Sequence, residues 1–113
     1  MQVDFSSIDF TSEASVLGAA MAFEDLGVAA YNGAGPRLKD GNFLLLAGKI
    51  VSVEARHAAY VRDLISNGSF ADLNSLASLG ANNSAGLDAA LTPDKVLAAA
   101  QKYIKTKISV INL

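Results

Sequence analysis

Apolar residues recur at helical spacing along two long stretches of the chain, and polar residues that cannot be left unpaired interrupt each stripe. In the first stretch Leu17, Ala20, Met21, Gly27, Val28 and Tyr31 lie three, four or seven residues from Glu24. One face of a helix over 12–32 is therefore apolar around a carboxylate. Thr11 or Ser12 can cap its free amides, Glu13 suits the positive end of its dipole, and Gly33-Ala34-Gly35-Pro36 stops it. A second helix, over 41–66, starts near Asp40 to Phe43 and stops at Asn67-Gly68. Its inward stripe reads Leu46, Ile50, Val53, Glu54, His57, Val61 and Leu64, with Lys49, Arg56 and Arg62 away from that seam. The short connection predicts an antiparallel hairpin.

The rest of the chain is less periodic. Residues 1–11 read as a docked linker, and 67–91, rich in Ser, Asn, Gly and Ala, as a loop anchored by Phe70, Leu73, Leu76 and Leu79 with one helical turn at most. Thr92-Pro93-Asp94 opens a third helix over 93–105 with a cap, a proline at the first helical position and an early acid. Ile108-Ser109-Val110-Ile111 looks like an extended tail. The expected class is all-α, a helical hairpin followed by a C-terminal helix and tail. Length puts one geometrical condition on the hairpin. A first helix that ends near Tyr31 reaches about 10 Å beyond Glu24, whereas Glu54 lies about 20 Å beyond Gly41. For the acids to be level, the second helix must start late or residues 34–40 must climb alongside the bundle.

Composition narrows the function. A chain of 113 residues is read as a single domain with a modest core. Without cysteine it has no disulfide framework, thiolate metal site or cysteine nucleophile. A net charge of −2 with scattered Lys and Arg argues against nucleic acid as a partner. Although half the residues are apolar, no run is read as reaching the roughly 20 residues that span a bilayer, so no membrane partner is expected. Met1-Gln2-Val3-Asp4-Phe5 lacks a basic stretch followed by an apolar one, so no signal peptide is read there; localisation stays open, with export expected if a leader has been removed. Asn67-Gly68-Ser69 and Asn82-Asn83-Ser84 fit the glycosylation pattern but read as chance in Asn- and Ser-rich loops.

The chemistry lies in three residues. Glu54 and His57, three apart on a helix, project from one face and can share a metal ion, and Glu24 supplies a further carboxylate from the preceding helix. Carboxylates offset and bridge metal charge while neutral imidazole ligates one ion. A metal-free polar network among the same three residues fits the pattern as well. Tyr31 and Tyr60 could serve as relay groups near such a site, or simply pack; Met21 reads as a core filler rather than a haem ligand.

Ala22-Phe23-Glu24-Asp25-Leu26-Gly27-Val28-Ala29-Ala30-Tyr31-Asn32-Gly33-Ala34, followed by Ile50-Val51-Ser52-Val53-Glu54-Ala55-Arg56-His57-Ala58-Ala59, resembles the ferritin-like family that includes the desiccation-related proteins. The similarity runs from about residue 5 to 66; the Leu91-Thr92-Pro93 and Ile108-Ser109-Val110 segments are also similar to the region C-terminal to that helix pair in such proteins. It implies a ferritin-like antiparallel hairpin, half of a four-helix bundle, in which Glu24, Glu54 and His57 correspond to metal ligands of the second helix pair. Iron or manganese would be the metal, in a two-ion site completed by a second half-site, with ferroxidase or peroxide-consuming activity and a link to oxidative or desiccation stress. Members carry an earlier helix pair with its own Glu and Glu-x-x-His, and this chain has one pair only. The implied partner is a second copy, as a homodimer, or a missing N-terminal helix pair. The alternative functions are a metal-free structural or protective helical module and an inactive half of a larger ferritin-like protein.

Overall fold

The computed structural model describes residues 1–111 and is helical, a hairpin followed by a short C-terminal helix. Helix α1 spans Glu13–Ala34 and α2 spans Gly41–Ile65; α3 spans Pro93–Ala100. Ser12 caps α1 by accepting the Ser15 amide on its hydroxyl, and Asp40 caps α2 by accepting that of Asn42. Thr92 stands at the N-cap of α3 without a side-chain cap bond, leaving Pro93 at the first position to set the helical φ.

The length condition on the hairpin is met by helix one itself. It does not stop at Asn32 but runs to Ala34 and continues as a 3₁₀ turn, Gly35–Arg37, that Arg37 secures by donating to the Gly33 carbonyl. This carries the chain about 21 Å past Glu24, against about 20 to 24 Å from Gly41 to Glu54 and His57. Proline is compatible here because it sits in the first turn of the 3₁₀ segment, where no amide is needed.

The inward face of α2 differs from the expected stripe. Against α1 it buries Ala47, Ala58 and Arg62, whereas Leu46, Ile50, Val53 and Leu64 are 51%, 40%, 41% and 53% exposed. Small residues let the two helices approach closely, and a hairpin offers each helix one neighbour, so the wider apolar stripe turns to solvent. Arg62, expected on the charged face, is buried. Its Nη2 donates to Asp25 Oδ2 at 2.7 Å, an ion pair that crosses the hairpin.

Residues 67–91 form more than a loop with one turn. A 3₁₀ helix, Asn74–Leu79, buries Leu76, and a second, Asn83–Ala85, turns the chain back; Phe70 stays exposed. The returning stretch of chain then lies on α1. The Leu91 amide donates to the Ala29 carbonyl, Asn32 Nδ2 donates to the Ala89 carbonyl, and Ala29, Ala89 and Leu91 form the buried core. Helix three is shorter than 93–105, since a 3₁₀ turn, Gln101–Tyr103, succeeds Ala100. The terminal segments meet in an antiparallel bridge between Val3 and Ile104, while Phe5, Phe23 and Tyr103 pack their rings together. Residues 107–111 carry no regular element.

One expectation needs correcting. Glu13–Arg37 is long and apolar enough to cross a membrane by length and composition. Its midpoint nevertheless holds Glu24 and Asp25, and charge at mid-helix is costly in lipid, about 2.5–3.5 kcal/mol for Asp on insertion scales. Here Asp25 has its counter-ion on α2, within the hairpin.

Four variants test this packing. A Cβ on Gly33 would sit 1.8 Å from the Leu91 carbonyl oxygen, so Gly33→Ala is expected to lose about 1–3 kcal/mol or more in urea unfolding. Gly18→Ala, with nothing within 4 Å, should instead gain about 0.5–1 kcal/mol. Arg62→Met strands a buried carboxylate and is expected to cost about 3–5 kcal/mol, whereas the double variant with Asp25→Leu should return close to wild type.

Candidate metal centre

Glu24 lies at the middle of α1 and Glu54 and His57 lie one turn apart on α2, so the antiparallel hairpin faces them toward one another. His57 Nδ1 is 3.4 Å from Glu24 Oε2 and 3.8 Å from Glu54 Oε2, and one ligand atom from each residue falls within a 4.8 Å group. Donor atoms around a single first-row ion, with bonds of about 2.0–2.2 Å, stand about 3 Å apart. Rotamer adjustments of about 1 Å would therefore close these three on one ion.

The site is built asymmetrically. The two carboxylates are sheltered, with side chains 26% and 29% exposed, and the imidazole stands at the rim, 55% exposed. Glu24 Oε2 is buried without a hydrogen-bond partner among the described residues. Burial pushes the Glu24 carboxyl above its ordinary range, and the neighbouring Glu54 carboxylate adds to that, while His57 pulls it partly back. Two acids against one imidazole form a cluster that favours a proton or a cation. The donor set, hard carboxylate oxygens with one imidazole, suits iron or manganese and not a soft thiolate-preferring ion.

Asp25 and Arg62 escaped the reading of the sequence. Arg62 falls at i+4 from Ala58 and i+8 from Glu54, which places it on the face turned to α1, but arginine ordinarily marks the solvent face. Burial raises the Asp25 carboxyl, and the Arg62 guanidinium lowers it in part. Asp25 Oδ1 and Arg62 Nε have no partners among the described residues, so one hydrogen bond carries the pair. Tyr60 lies exposed one turn beyond His57, Tyr31 is half-buried, and Met21 lines small cavities beside Arg62 and Ile65.

A pair of antiparallel helices with a Glu on one and Glu-x-x-His on the other defines a helical carboxylate class. A family model described as a ferritin-like domain matches residues 1–67, which take in the N-terminal segment, α1 and α2, and the chain belongs to that family. The match is to the family as a whole and does not single out its desiccation-related members. No curated protein and no solved structure matches the chain. The ferritin-like domain points to metal binding, and Glu24, Glu54 and His57 form the group that could hold the ion.

Glu24 gives the fold a pH dependence. Its folded pKa is raised, so protonation favours the folded state. That contribution is complete below the unfolded value of 4.5 and is lost as pH rises through the folded value. In urea titrations with chelator present, Glu24→Gln is expected to gain stability relative to wild type as pH climbs from about 4 to 8, a trend that a fully ionised Glu24 would not produce.

Proposed function

We propose that this chain is a ferritin-like carboxylate protein that holds iron or manganese through Glu24, Glu54 and His57. The observation that carries the reading is the convergence of two carboxylates and an imidazole from opposing helices around a buried Glu24 oxygen that has no hydrogen-bond partner among the described residues. A cation at that point would replace the proton that burial favours on Glu24, and it would separate the two carboxylates.

The residues divide the work. Glu24 and Glu54 would supply negative charge from opposite sides and offset that of an ion held between them. His57 would ligate through Nδ1 as the neutral imidazole. The buried Asp25–Arg62 pair fixes α1 on α2 beside the site and so orients Glu24. When bound, the metal supplies one-electron redox chemistry, Fe(II) oxidation or peroxide consumption, through which such a protein would bear on oxidative or desiccation stress.

A ligand that binds only the folded chain stabilises it by about 2.7 kcal/mol at a hundred times its dissociation constant. Added Mn(II), or Fe(II) without oxygen, is therefore expected to raise the melting temperature by several degrees, and chelator should reverse the rise. Glu54→Ala and His57→Ala should each abolish most of that shift and most of the metal retained on purification. Equal, negligible metal in wild type and Glu54→Ala would sink the reading and leave the three residues as a metal-free polar network.

A further inference from the structure

Among the described residues, α2 carries an apolar seam that nothing covers. Phe43, Leu46, Ile50, Val53, Tyr60 and Leu64 are all exposed, and with His57 between Val53 and Tyr60 their spacing alternates three and four residues without a break. A repeat of 3.5 residues is the signature of a helix that packs lengthwise on another at a shallow angle. The seam lies about 100° around α2 from Ala47 and Ala58, which face α1. A helix in a four-helix bundle touches two neighbours on adjacent sides, and α1 accounts for one of them. Glu54 projects between the two sides, toward the axis such a bundle would have.

We propose that the second neighbour is α2 of another copy of this chain, antiparallel across a two-fold axis near Ala55, so that two hairpins close one four-helix bundle. The seam is complementary to itself in that register. Ile50 meets the partner's Tyr60, Leu46 meets the partner's Leu64, and Val53 meets the partner's His57. On the outer flank Lys49 reaches the partner's Asp63, and symmetry makes this pair twice; Asp63 accepts the Gly68 amide on Oδ1 and keeps Oδ2 for the lysine. Arg56 faces the partner's Arg56, but both heads lie on the solvent side, where repulsion is weak. On the inner flank Glu54 faces the partner's Glu54, which joins two half-sites around the axis. That joining rests on the proposed metal site; the seam itself does not.

Light scattering separates the two claims. Metal-free chain in chelator is expected to have twice the 11.7 kDa mass of one copy. Val53→Lys, at an exposed position of the hairpin and the middle of the seam, should give a monomer with unchanged helical circular dichroism. Lys49→Glu should raise the dimer dissociation constant roughly fivefold to tenfold, and adding Asp63→Lys should restore it, as only the antiparallel register allows. A monomeric wild type overturns the proposal and assigns the seam to further helices of a longer chain; if that monomer takes up Mn(II), the site reading still stands. A dimer indifferent to Val53→Lys also overturns it. A dimer that responds to Val53→Lys yet takes no metal supports the seam and sinks the site reading.

Discussion

Burial of the Asp25–Arg62 pair is the constraint on which the rest of the structure depends. Two charges leave water for one hydrogen bond of 2.7 Å, and each partner keeps an unpaired atom inside. Desolvation of that kind is offset only where geometry holds both groups in place. The hairpin supplies one wall. The chain beyond α2 supplies the other, since Ser69 Oγ donates to the Arg62 carbonyl and the buried Leu76 lies in the next segment. A pair that α1 and α2 share cannot tolerate sliding of one helix along the other. Glu24, the residue before Asp25, is thereby held opposite Glu54 and His57.

Two kinds of polar group thus sit side by side in α1 and have different fates. Asp25 has a dedicated cation and is closed off by protein. Glu24 has an exposed imidazole and a second acid, and among the described residues its buried Oε2 has no hydrogen-bond partner. The first arrangement balances one acid with one guanidinium inside the hairpin. The second sets two acids against one imidazole, so a proton or a cation is favoured there, which is the physical basis for proposing it as the functional one. The exposed seam on α2 is likewise left open, an apolar surface with a regular pattern that the hairpin does not cover.

Helix existence was legible in the sequence because 3.6-residue periodicity, caps and glycine-proline stops are local properties. Ser12, Asp40 and Pro93 act within a few residues of where they stand. The Glu24, Glu54 and His57 grouping was legible for the same reason: polar residues in an apolar stripe are conspicuous, and hairpin topology brings two such stripes together. Residues 67–91 were much less legible, because their 3₁₀ turns form around tertiary contacts such as buried Leu76 and the Leu91 amide bonded to α1.

What the sequence determined by itself is therefore an all-α hairpin of the ferritin-like family with one carboxylate–imidazole cluster. Only the tertiary structure decided which face of α2 meets α1, that Arg62 turns inward to Asp25, and that a 3₁₀ extension of α1 makes the acids level. The reason is common to all three. Periodicity shows that a face is apolar, but which of two adjacent faces is covered depends on close approach at small residues and on pairing between groups 37 positions apart, and neither is encoded at short range.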